Sequence, residues 1–131
     1  MTAVLPNNLS IKMHILPGDY TVCQISNTSD ICFEDEFVFV GKTDDELSLV
    51  CRTSSVPPAV LAREDGWKAI KIQGVLDFSL VGILAGIASI LAGLHISIFA
   101  VSTFNTDYIL LKSACLLDAK TVLEDNGYLF V

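Results

Sequence analysis

From Phe78 to Thr106 the chain carries no Asp, Glu, Lys or Arg, and His95 is the one titratable side chain in that stretch. A segment of this kind has two fates: it crosses a bilayer, or protein covers it on every side. The apolar run from Phe78 to Leu94 is near the lower length limit for a span. Gly82-x-x-x-Gly86 is also a spacing found where helices pack in membranes. The punctuation favours the second fate. Asp77 stands where an N-cap would, and Gly93-Leu94-His95 reads as a helix stop. No Lys or Arg flanks that end, and no Trp or Tyr belt marks it. Beyond His95, Ile96-Ser97-Ile98-Phe99-Ala100-Val101 is β-branched and aromatic, as strands are. The expectation is a helix buried in protein, then strands, and no membrane.

At about 100° per residue, Leu80, Ile83, Ile87, Ile90, Leu91 and Leu94 share one side of this helix. Gly82, Ala85, Gly86, Ser89, Ala92 and Gly93 share the other. A bulky side suits a sheet, and a small side lets another backbone approach closely. With no wet face, the helix needs two covers. The second is expected from another part of the chain or from a homodimer partner.

Composition narrows the classes. With 131 residues, 52% of them hydrophobic, a sizeable core is available and disorder is excluded. The net charge is −7, and the eight basic residues form no cluster of three, which argues against nucleic acid and anionic lipid. Cys23, Cys32, Cys51 and Cys115 form no C-x-x-C pair and have no histidine at ligand spacing, so no metal and no cofactor are expected. Cys23 and Cys51 lie in apolar runs and read as small core residues. The first residues, MTAVLPNNLSIK, lack the basic and apolar regions of an export signal, so the expected compartment is the cytoplasm.

The remaining pattern is strands with few helices. Leu9–Leu16 alternates, Pro17-Gly18-Asp19 turns the chain, and Tyr20–Ile25, Phe37–Val40 and Leu47–Arg52 read as strands. Thr43-Asp44-Asp45 is expected as a hairpin turn, and Val56-Pro57-Pro58 opens a connector to Gly66. The order after that is strand (Trp67–Leu76), helix (Phe78–Leu94), strand (Ile96–Val101), strand (Asp107–Lys112), helix (about Ala114–Asp125) and strand (Tyr128–Val131). Ser113 is placed to cap the last helix, and Asn126-Gly127 to end it. This is βαββαβ, the ferredoxin-like unit. The expected class is α+β: two ferredoxin-like units, the first trimmed, at 1–62 and 63–131, with antiparallel sheets and helices on one face.

Three segments, Gly66-Trp67-Lys68-Ala69-Ile70, Leu76-Asp77-Phe78-Ser79-Leu80-Val81-Gly82-Ile83-Leu84 and Ile98 through Leu110, resemble small ACT-domain proteins. The subgroup is the one related to the arginine-sensing CASTOR proteins, and Ser102-Thr103-Phe104-Asn105-Thr106-Asp107-Tyr108 is the most specific part of the resemblance. The resemblance implies two ACT-like units, a small-molecule site between ACT units, amino acids as ligands, and allosteric regulation in place of catalysis. It also implies that Asp107 binds a ligand amino group, with Thr103 and Phe104 beside it and Asp77, Leu80 and Leu84 near the helix start. Leu80 stands where an acidic residue would hold a guanidinium, and Asp77 replaces a glycine. The implied ligand is therefore a neutral amino acid and not arginine.

Elementary electrostatics points to the same residues. Free N–H groups around Phe78, Ser79 and Leu80 would receive a carboxylate, helped by the helix dipole. Asp107 is the one carboxylate between Asp77 and Asp118 and would pair with an ammonium. The Ser102–Asp107 loop could lie at either end of the helix, and the resemblance favours the N-terminal one. Each residue also has a plainer role. Asp77 may cap the helix only if it does not hold a ligand, and Asp107 may simply shape its loop. Ser79 and Ser102 have no activating histidine in sequence, so no catalytic residue is assigned. A binding and regulatory module is the leading expectation; an interaction or assembly domain without ligand is the alternative.

Overall fold

The computed structural model of the chain describes residues 11–73 and 81–131. The elements are β1 (Lys12–Ile15), β2 (Tyr20–Gln24), β3 (Val38–Lys42), β4 (Leu47–Arg52), β5 (Ala62–Gln73), α1 (Val81–Gly93), β6 (Phe99–Ser102), β7 (Asp107–Lys112), α2 (Leu116–Asp125) and β8 (Leu129–Phe130). The expected Asp77 cap and the start of the helix at Phe78–Leu80 lie outside the described residues. Among those described, no helix is long and apolar enough to cross a membrane.

Two compact units result. One comprises Gly18–Trp67; the other joins Lys68–Val131 to the segment ending at Pro17. This grouping differs from the contiguous cut at 62/63, because β1 pairs with a strand almost sixty residues away. Met13 lies opposite Ile72 in an antiparallel pairing with β5. β1 also pairs with β8, and that pairing is parallel, with Lys12 opposite Leu129. The expected wholly antiparallel sheet is corrected accordingly. In this unit the strand order is β6-β7-β5-β1-β8, with β1 inserted between the first and last strands of βαββαβ.

Strand alternation selects one face of that sheet for the core. Ile11 and Met13, Ile70 and Ile72, and Ile109 and Leu111 pack with Ile87 and Leu91 of α1 and with Ala119 and Leu123 of α2. Both helices therefore cover one face, in an α+β arrangement of the ferredoxin-like kind. The opposite side of α1 is open: Gly82, Ala85, Ser89, Ala92 and Gly93 are exposed. Leu94, placed on the bulky side by the sequence, is 46% exposed.

Both helices end in a left-handed residue whose neighbours close the last turn. After α2, Gly127 (φ 93) and Tyr128 donate to the carbonyls of Glu124 and Leu123, each at 3.0 Å. After α1, Ile96 donates to Leu91 at 3.0 Å and His95 to Ala92 at 2.9 Å, with His95 at φ 59. The helix thus stops within the expected Gly93-Leu94-His95, with His95 taking the left-handed position and Ile96 buried against the core. Ser113 does not cap α2 either. It opens a 3₁₀ turn, and the N-cap position falls on Cys115 without a side-chain cap.

The unit Gly18–Trp67 contains β2, β3, β4 and the first half of β5 in the order β3-β4-β2-β5, with no α-helix. Its core is Cys23, Ile25, Ile31, Leu49 and Cys51. Residues 62–65, expected as connector, are strand: Glu64 lies opposite Val22 and Arg63 opposite Cys23. Their charged, exposed sequence hid a strand whose backbone, not its side chains, does the pairing. The register shifts between Tyr20 and Val22, and Gly66 at φ 86 supplies the left-handed backbone that such a bulge uses. Beside it, Thr21 Oγ1, fully buried, donates to Asp65 at 2.6 Å, and Asp65 pairs with Arg63 at 3.0 Å.

Candidate functional site

The β6–β7 hairpin turns through Thr103–Thr106. Thr103 N donates to the Thr106 carbonyl at 2.8 Å, and Thr103 Oγ1 donates to the same oxygen at 3.0 Å. Thr103 Oγ1 also accepts from Thr106 N at 3.3 Å. The same construction closes the β3–β4 hairpin, where Thr43 N donates to Glu46 O at 3.0 Å and Glu46 N donates to Thr43 Oγ1 at 3.2 Å. A threonine hydroxyl that bonds the backbone ahead is a local turn device. Part of the specific-looking S-T-F-N-T-D-Y run is therefore turn chemistry.

Thr106 fixes where this hairpin sits. Its buried hydroxyl donates 2.6 Å to the Ile72 carbonyl, next to the C-terminal end of β5. The turn is thus at the end from which the chain leaves β5 toward α1, the arrangement that the residue pattern left open. Asp107 begins β7 and alternates with Ile109 and Leu111, so it lies on the helix-covered face. The residue is 8% exposed, and its side chain makes no hydrogen bond or ion pair with a described residue.

The other expected site residues divide. Thr103 is exposed with its hydroxyl committed to the turn, and Phe104 is fully exposed at the hairpin tip. Leu84 is half-buried and packs against the core beneath α1. Asp77, Phe78, Ser79 and Leu80 lie outside the described residues.

Two hollows escaped the sequence. A groove of about 550 Å³ lies along α2, lined by Leu94, His95, Cys115, Leu117, Asp118 and Asp125 among others. A second, of about 330 Å³, flanks the 103–106 turn and is lined by Lys71, Gln73, Thr103, Asn105, Thr106 and Tyr108, along with Ile72. Lys71 and Gln73 could have been marked by their alternation with Ile70 and Ile72.

Burial pushes Cys51 up to about 12 and also raises Cys23. Neither is poised as a nucleophile. Among the described residues, no group of three His, Cys, Asp or Glu side chains could hold a metal ion.

A βαββαβ order with two helices on one face and a polar hairpin at the C-terminal end of β5 is the arrangement of an ACT-type module. Residues 62–125 match the family model of the ACT domain, and residues 18–59 match a second model described as an N-terminal domain. The X-ray structure of a protein from Agobacterium tumefaciens is 32% identical, with a TM-score of 0.84, over 94% of this chain and 93% of that one. This chain belongs to the same family as that protein, with an ACT domain in its C-terminal half. A protein of unknown function from Vibrio cholerae, described as a possible transport protein, is 19% identical, with a TM-score of 0.70 over 90% of this chain and 91% of that one. Aspartate kinase from Clostridium acetobutylicum, described as an allosteric enzyme, shares the fold at 10% identity and a TM-score of 0.62. That match covers 89% of this chain and 34% of the kinase. No curated protein matches the sequence.

Proposed function

We propose that the protein is a regulatory module that binds a small molecule, a neutral amino acid, and does not act as a catalyst. The observation that carries this reading is Asp107, a residue 8% exposed whose carboxylate has no partner among the described residues. Burying an unpaired charge is costly, and an ammonium group offsets that cost. Thr106 supports it by tying the hairpin to β5 beside the passage into α1. The fold shared with an allosteric aspartate kinase is in keeping with regulation.

In this reading the ligand ammonium meets Asp107, with Thr103 and Phe104 bordering it, and its carboxylate meets the N–H groups of Phe78, Ser79 and Leu80. Asp77 and Leu84 border the side-chain end, as in the CASTOR-like arrangement. The unit 18–67 acts as a trimmed ACT-like partner, and the protein works in the cytoplasm as a homodimer. Dimerisation is supported by the exposed small-residue side of α1, Gly82 through Gly93. That same side favours the second reading, an assembly domain with no ligand.

Thermal unfolding against each of the twenty amino acids separates the two, since a ligand of the native state must raise the melting temperature. At least one neutral amino acid should raise it, and Asp107→Ala should remove that rise while leaving the fold intact. A flat response to all twenty would leave only the assembly reading.

A further inference from the structure

We propose that the groove beside the 103–106 turn is a site for a small anion, holding a carboxylate or phosphate group on the ammonium of Lys71. It lies on the sheet face opposite Asp107 and does not depend on the amino-acid reading. Lys71 and Gln73 alternate with the core residues Ile70 and Ile72, so they face away from the helices. Tyr108 alternates with Asp107 and Ile109 and shares that outer face. The groove measures about 330 Å³, at the small end of pockets that enclose whole ligands, roughly 300–1,000 Å³.

Its charge is unlike that of the rest of the molecule. The chain has 15 acidic residues and a net charge of −7, yet among the described residues the lining holds no carboxylate, and Lys71 is the one charged side chain. On the β1 side the cross-strand neighbours add no negative charge, since Lys12 lies opposite Gln73 and His14 opposite Lys71.

Three side chains in the groove keep donors unbonded among the described residues. Lys71 is half-buried, and its ammonium has no hydrogen bond or ion pair with a described residue. The Gln73 and Asn105 amides are likewise unbonded among the described residues. An ammonium is all donor, and each amide presents two more N–H groups. The Thr103 hydroxyl is occupied in the turn, and Asn105 lines the groove. Donors around one cation, with no competing carboxylate among the described residues, match the oxygens of a compact anion.

The test is an amide-resolved NMR titration of the full ¹⁵N-labelled chain with inorganic phosphate and, separately, with acetate, at fixed ionic strength. Saturable shifts confined to residues 71–73 and 103–108 are expected with at least one anion. Saturation by phosphate alone or by acetate alone supports the site and names its chemistry. Lys71→Gln should weaken the binding about tenfold or more, the loss expected for a hydrogen bond to a charged group. Lys71→Arg should retain it, and Lys120→Gln, which alters a lysine over the Phe130 ring, should leave it unchanged. Shifts that stay linear with both anions, fall elsewhere, or persist undiminished in Lys71→Gln would overturn the proposal. Should Lys71→Gln not fold, the location of the wild-type shifts and the Lys71→Arg response decide it.

Discussion

The two helix ends allow a paired test of backbone strain. They share one hydrogen-bonding pattern, yet the left-handed position holds Gly127 in one and His95 in the other. A left-handed backbone costs a residue with a Cβ about 1–2 kcal/mol. Introducing glycine gives back about 0.4–1 kcal/mol through the greater freedom of the unfolded chain. The strain exceeds the entropy, and the exposed His95 ring forfeits little packing when removed. His95→Gly should therefore stabilise the protein by about 0.5–1 kcal/mol, and Gly127→Ala should destabilise it by a similar amount. For a chain of this size that is a melting shift of about 2–4 °C in opposite directions. Urea unfolding is the assay, with the midpoint moving and the slope unchanged. A less stable His95→Gly, or a Gly127→Ala as stable as the parent, would refute the argument, because sterics could not then explain the difference.

Thr106→Val keeps the shape of the side chain but leaves the Ile72 carbonyl unpaired. The expected cost is about 1–3 kcal/mol, with faster amide exchange across 103–107. Leu123→Ala removes a fully buried contact of α2 and should cost about 2–5 kcal/mol by urea unfolding. Cys51 is raised to about 12 by burial, so its thiol stays protonated in the fold when the unfolded thiol has already ionised. Its contribution is complete below the ordinary thiol range and is lost as pH climbs from there toward 12. Stability should fall over that window, and less steeply in Cys51→Ala. In native protein at pH 8, Cys32, which is exposed, should react with a thiol reagent well before Cys51.

Local pattern was enough wherever the forces are local. The uncharged stretch from Phe78 to Thr106 holds a helix whose bulky side meets the core, and β7 lies at Asp107–Lys112 as the apolar run there predicts. Asn126-Gly127 marked the end of α2, because glycine is the residue that reaches the left-handed region at least cost. Thr43 and Thr103 close their hairpins with their own hydroxyls.

What the pattern could not carry is pairing over distance. The insertion of β1 between β5 and β8, and the strand at 62–65, depend on backbone bonds to remote partners that leave no mark on side-chain order. The end of α1 was decided by Ile96 seeking the core, which forced His95 into a conformation its own sequence does not favour. Likewise, Asp107 and Lys71 each appear in sequence as one polar residue at the edge of an apolar run. Only the folded sheet turns the first toward the helices and the second toward a groove that no described carboxylate lines. Burial and charge at a point are sums over every chain segment that passes near it, and that sum exists only once the chain has folded.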